Sequence, residues 1–162
     1  MFQQALEKSL EEKKLQKAEI IIRKAIQIYE VKLTRHGNML VGQSCSGKTT
    51  AWTVLQDAMK ALNKSGVAGY ESVKQFVINP KSLRDGELYG EYDLSTGECL
   101  DGVLSRCMRE ACSDETPKQK WLVLDGPVDT LWIGEPLPIP LSWIKLLMSC
   151  RFHSMHSLFL SM

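Results

Sequence analysis

A chain of 162 residues can bury one α/β core and is too short for two ordinary domains. Its formal net charge of +1, with both signs interspersed and no basic stripe, argues against nucleic acid as the main partner. The five cysteines (Cys45, Cys99, Cys107, Cys112 and Cys150) form no C-x-x-C pair and suggest neither a disulfide framework nor a zinc site, while the lack of a signal-type apolar start or of any run of about 18 apolar residues predicts a soluble, intracellular protein with no membrane partner.

Residues 2 to 33 read as one helix: Leu6, Leu10, Ile22, Ala25, Ile26 and Tyr29 recur near helical spacing, and Glu7, Lys8, Glu11, Glu12, Lys13 and Lys14 hold the opposite face. The apolar repeat is too short and irregular for a coiled coil, so a helix lying on its own domain is expected. Arg35-His36-Gly37 breaks it, His36 being read as a turn residue. An apolar strand at residues 39 to 41 then empties into Gly42-Gln43-Ser44-Cys45-Ser46-Gly47-Lys48-Thr49-Thr50, which meets the phosphate-loop spacing G-x-x-x-x-G-K-T without a gap. Gly42 and Gly47 let the backbone turn sharply and approach an anion, and the N–H groups of residues 43 to 47 can form an anion nest at the positive end of the next helix. Lys48 is placed to reach the β- and γ-phosphates of a nucleoside triphosphate, and Thr49 to put its hydroxyl on Mg²⁺. The whole loop through Thr50 is the candidate binding set. Residues 50 to 63 follow as an amphipathic helix with Trp52, Leu55, Met59 and Leu62 on one stripe, so Trp52 and Met59 are core filling and Gly66 is a left-handed cap.

A second strand spans Val73–Ile78 and stops at Asn79-Pro80, before a loop and a short helix up to residue 89. Residues 90 to 99 resemble a hairpin turning at Ser95-Thr96-Gly97. Asp101 is a candidate N-cap for a helix whose Val103, Leu104, Cys107, Met108 and Ala111 share a face, Cys107 serving as a small hydrophobe. After a polar loop at residues 114 to 120, the apolar strand Trp121-Leu122-Val123-Leu124 ends in Asp125, where an acid beside a phosphate loop can hold the Mg²⁺ shell. Many ATPases of this architecture carry a second acid next, to polarise the attacking water. Here Gly126-Pro127 follows, so that base is missing, and Asp129 is read as structural.

The combination of residues 35 to 50 with Ile78-Asn79-Pro80-Lys81-Ser82-Leu83, Gly86-Glu87-Leu88-Tyr89-Gly90-Glu91-Tyr92-Asp93, Asp101-Gly102-Val103-Leu104 and the stretch 121 to 133 resembles the dynein heavy chain. More narrowly, it resembles the second AAA+ module in the motor ring of an axonemal dynein, over roughly residues 15 to 133. The resemblance implies ATP with Mg²⁺, held structurally without efficient hydrolysis, in agreement with Gly126. It implies as partners the neighbouring AAA+ modules and linker of the same heavy chain, dynein intermediate and light chains, and the microtubule through the full-length motor, in the cytoplasm and cytoskeleton of a cilium or flagellum. The hairpin falls where that module carries an insert touching the linker, although Cys99 stands where the family usually has tryptophan.

After Ile133 the chain leaves the family pattern. Its Pro-rich, apolar tail is expected to be divergent, and His153-x-x-His156 lacks the further ligands of a metal site. The organisation expected is a helical segment at 1 to 34, an AAA+ P-loop core of three-layer α/β class at 35 to 133, incomplete at its C-terminal end, and the tail at 134 to 162. Two rivals remain. A free-standing NTPase or nucleotide kinase predicts turnover by the isolated chain, and a non-enzymatic interaction fragment predicts no nucleotide requirement.

Overall fold

The N-terminal apolar pattern forms two helices rather than the one expected, α1 (Phe2–Glu12) and α2 (Glu19–Thr34). The computed structural model, which describes residues 1–35, 37–92, 95, 99–127 and 155–161, shows how a stretch without glycine or proline breaks. Lys14 turns left-handed at φ 55. Its N–H donates to Glu11 O at 2.9 Å, and Leu15 N–H donates to Leu10 O at 2.9 Å. These are the two back-bonds of a Schellman termination, usually made with glycine at the left-handed position. A side chain there costs about 1–2 kcal/mol. Leu6 and Leu10, fully buried where α1 lies on α3 (Lys48–Lys64), contribute about 1.5–3 kcal/mol each and offset it.

The stripe expected on α3 is present: Trp52, Leu55, Met59 and Leu62 are all buried, and Gly66 takes φ 74 after the helix. Beyond it come β2 (Val73–Ile78), a 3-10 turn at Pro80–Ser82, α4 (Asp85–Tyr89), the antiparallel pair β3 (Gly90–Tyr92) and β4 (Cys99–Asp101), α5 (Val103–Ser113) and β5 (Gln119–Asp125). Asp101 is not the N-cap expected. It closes β4, its carboxylate pairs with Arg109, and Gly102 takes the cap position. His36, Thr96, Gly97, Asp129, Trp143 and His153 lie outside the described residues, as does the side chain of His156.

The main sheet is parallel, in the order β1-β6-β5-β2, where β1 is Gly37–Leu40 and β6 is Met155–Ser161. Residues assigned above to a divergent tail thus supply the strand between β1 and β5, pairing with both. The run Leu158-Phe159-Leu160 is the unbroken apolar pattern of a strand inside a parallel sheet. Alternation along β5 divides the core. Trp121 and Val123 join α1, α2 and α3 on one face, while Leu122 and Leu124 meet residues of α4 and α5 on the other. This is the three-layer α/β arrangement expected. Cys107 packs in the second cluster, where burial pushes its thiol pKa up, as a small hydrophobe would show.

One cation is buried on the first face. Lys32 Nζ donates to Gln119 Oε1 and lies 5.2 Å from the Tyr29 ring centroid and 5.6 Å from that of Trp121. Burial lowers its pKa from 10.5 to about 8, against a smaller upward pull from Glu71.

Candidate functional site

β1 runs to Leu40 and releases the chain into the loop at the carboxyl end of the sheet, where ligands of parallel α/β folds collect. Gly42 lies so close to the returning chain that a Cβ there would stand 2.7 Å from Ser46 Oγ. Any other residue would require the Ser46 hydroxyl to swing aside. Ser46 N–H donates to Gln43 O at 3.2 Å, Cys45 is left-handed at φ 63, and Gly47 follows at φ 86 as the N-cap of α3. Among the described residues no side chain caps α3, so the first N–H groups of Lys48, Thr49 and Thr50 face the loop with the positive end of the helix dipole behind them.

The Lys48 ammonium spans the same concavity, donating to Gly42 O and Gln43 O at 2.8 Å each. Gln43, Ser44, Cys45, Ser46 and Thr49 are exposed, while Gly47, Lys48 and Thr50 are half-buried. Thr53 Oγ1 donates to Thr49 O at 2.8 Å and Thr50 O at 3.0 Å, stiffening the first turn through its backbone carbonyls.

The strand register fixes where Asp125 stands. Asp125 is level with Ser161 of β6, which is level with Leu40 of β1. At about 4.8 Å per strand, Asp125 lies about 10 Å across the sheet from the root of the loop, at the same carboxyl end. The structure thus brings Asp125 to the loop's edge of the sheet with one strand between. Sequence reasoning missed that intervening strand, whose Ser161 backbone sits between loop and acid. The donor set suits Mg²⁺, which takes one or two protein oxygens and completes its shell with phosphate oxygens and water. Among the described residues there is no cluster of three or more His, Cys, Asp or Glu that could hold a metal by itself. Gly126 follows Asp125 in a bend where a Cβ would stand 2.9 Å from Asn79 Oδ1.

A feature absent from the sequence reading is a cavity of about 450 Å³ between α2 and β1 that opens into the loop. Ile21, Ile28 and Val31 give it an apolar wall, Lys24 and Gln27 add polar groups, and Gly42, Ser46, Gly47 and Lys48 close its loop end. The signal was present in α2, whose residues 20, 24, 27 and 31 recur at helical spacing. Among the described residues no helix is long and apolar enough to cross a membrane, and Cys45, Cys107 and Cys112 are free thiols.

Residues 1–49 match a family described as the hydrolytic ATP binding site of the dynein motor region. That match ends within the loop at Thr49 and does not reach Asp125 or Gly126. The chain is also 49% identical over 128 residues to mouse dynein axonemal heavy chain 2. It is 48% identical over 130 residues to human dynein axonemal heavy chain 2 and 47% identical over 131 residues to the Chlamydomonas reinhardtii dynein-1-beta heavy chain of the flagellar inner arm I1 complex. These alignments take in 79–80% of the chain but 3% of each relative, so the chain spans a small segment of the heavy chains it matches.

Proposed function

Over 79% of its length this chain is homologous to a segment of axonemal dynein heavy chains, and from that premise we propose that it is an ATP-binding AAA+ module of a microtubule motor in cilia or flagella. One observation carries the nucleotide reading: the close approach of Gly42 to Ser46, the left-handed Gly47 and the Lys48 ammonium together make an anion cradle at the N-terminus of α3. In this reading the N–H groups of the loop from Gly42 to Thr50 and Lys48 hold the phosphates, and Thr49 with Asp125 holds Mg²⁺. The ion, when bound, neutralises phosphate charge.

The module holds ATP with little hydrolysis. Gly126 occupies the position from which an acid would polarise water, and no side chain stands there to do so. This supports the assignment to the second module of the ring, whose partners are the neighbouring modules and linker of the same heavy chain, the intermediate and light chains and, through the whole motor, the microtubule. A second reading, active turnover, is favoured by the hydrolytic family matched over residues 1–49. Native mass spectrometry of the purified chain tests the proposal: a co-purifying mass of ATP or ADP is expected, and its absence, with none taken up from added Mg·ATP, would remove the nucleotide role.

A further inference from the structure

Thr116, in the loop between α5 and β5, is an exposed hydroxyl set into a polar network, and Pro117 and Lys118 follow it. Lys118 N–H donates to Thr116 O at 2.7 Å, closing a tight turn over the proline. The threonine hydroxyl and N–H both donate to the Asp114 carboxylate, the N–H to Oδ1 at 2.9 Å. Asp114 Oδ2 also pairs with Lys74 of β2 at 3.1 Å, and the same ammonium reaches Glu110 of α5 at 3.1 Å. Lys120, only 3% exposed on β5, donates to Thr116 O at 2.6 Å. Thr116 thus stands where polar contacts tie α5, β2 and β5 together. The place is the amino end of β5, about 20 Å along the strand from Asp125 and the phosphate loop's edge of the sheet.

Two features suit this hydroxyl to phosphoryl transfer. Proline directly after it has a fixed φ and no N–H, the combination read by protein kinases that select a hydroxyl residue before proline. Two cations stand close by, Lys74 on the Asp114 carboxylate and Lys120 on the Thr116 carbonyl, so a phosphate dianion formed here has ammonium groups to pair with.

We propose that Thr116 is a phosphorylation site for a proline-directed protein kinase, and that the phosphate releases the tie among α5, β2 and β5. In the transfer, Thr116 Oγ1 attacks the γ-phosphorus of Mg·ATP held by the kinase. The new O–P bond forms as the bond to ADP breaks, and the hydroxyl proton leaves to a base of the kinase. The ester oxygen left behind has no proton to donate. Asp114 then faces about two negative charges on the residue that had donated to it. The hydroxyl is the largest of the contacts that hold the Asp114 carboxyl well below the usual carboxylate range, ahead of the Thr116 N–H and Lys74. Its loss falls on the acid that joins the end of α5 to β2. Lys74 and Lys120 turn from their present acceptors to the phosphate, and the last turn of α5 is freed.

The test treats the full chain, Thr116→Val, Thr116→Ser and a synthetic peptide of residues 110–122 with a purified mitogen-activated protein kinase and Mg·ATP, and locates phosphate by mass spectrometry. The peptide, wild type and Thr116→Ser are expected to carry phosphate at residue 116, and Thr116→Val none there. A labelled peptide with an unlabelled folded chain would overturn the proposal, and so would label on neither. Hydrogen exchange reads the consequence. Amides at the end of α5 and the start of β5 are expected to exchange about tenfold faster in the phosphorylated chain, the effect of losing one hydrogen bond to a charged group, while those of α3 are unchanged. Equal rates before and after phosphorylation would overturn the release. Neither readout involves the phosphate loop, so either failure leaves the ATP proposal standing.

Discussion

Replacing Gly126 with Glu tests the proposal that the site holds ATP with little hydrolysis for want of an acid at this position. The cost to the fold can be worked from the contacts. A Cβ at residue 126 stands 2.9 Å from Asn79 Oδ1 and 3.3 Å from Cδ of the buried Pro80. Pro80 cannot yield. Asn79 can, since its side chain is exposed, but it must then leave Lys81 N–H, which it accepts at 3.1 Å to cap the 3-10 turn. A lost cap costs about 1 kcal/mol, and replacing a glycine recovers about 0.4–1 kcal/mol by restricting the unfolded chain. Gly126→Glu should therefore fold, melting within about 4 °C of wild type. As an internal check, Gly126→Ala should cost less in an Asn79→Ala background than in wild type. Turnover should stay low. If no arginine finger reaches the site, a contribution of about 10³–10⁵, an ordinary rate of about 10 per second falls to a ceiling of roughly 10⁻² to 10⁻⁴ per second even with the base restored. Wild type should lie lower by about another 10²–10⁴. Steady-state phosphate release by wild type, Gly126→Glu and Lys48→Ala measures this. Turnover near 1 per second in either of the first two, lost in Lys48→Ala, would refute the reasoning.

Two other residues make sharp tests. Lys32 titrates at about 8 folded against 10.5 ordinarily, so between those values the unfolded chain binds more protons and stability rises with pH. Lys32→Met removes that dependence: its stability relative to wild type, from urea melts, should fall by on the order of 2 kcal/mol between pH 7 and pH 10, and a constant difference would contradict the buried ammonium. The exposed Cys45 thiol sits in the loop at φ 63, so saturating Mg·ATP should slow its alkylation by iodoacetamide; equal rates with and without nucleotide would mean that the loop does not enclose phosphates.

What the sequence disclosed depended on how local its causes were. The turn between β1 and α3 was legible because the spacing G-x-x-x-x-G-K-T calls for a tight loop running into a helix, and the structure sets Gly42 close to Ser46 and Gly47 at the helix cap. The stripes of α3 and α5 and the strand leading to Asp125 were legible through period and composition. The break between α1 and α2 was not, because a lysine holds the left-handed position that usually announces itself as glycine. Asp101 misled for a related reason: an acid before a helix can cap it, but this one is drawn off to Arg109. The place of β6 and the cavity between α2 and β1 depend on which segments meet in space. Pairing of residues 155–161 with β1 and β5 joins positions more than a hundred residues apart in one case, beyond any local pattern.

The central claim is that the loop binds Mg·ATP through its cation, and calorimetric titration of wild type and Lys48→Ala with Mg·ATP tests it most directly. Removing a charged donor of this kind costs about 1.5–3 kcal/mol, so Lys48→Ala should bind on the order of 10- to 100-fold more weakly than wild type. Equal affinity in the two proteins would contradict the account.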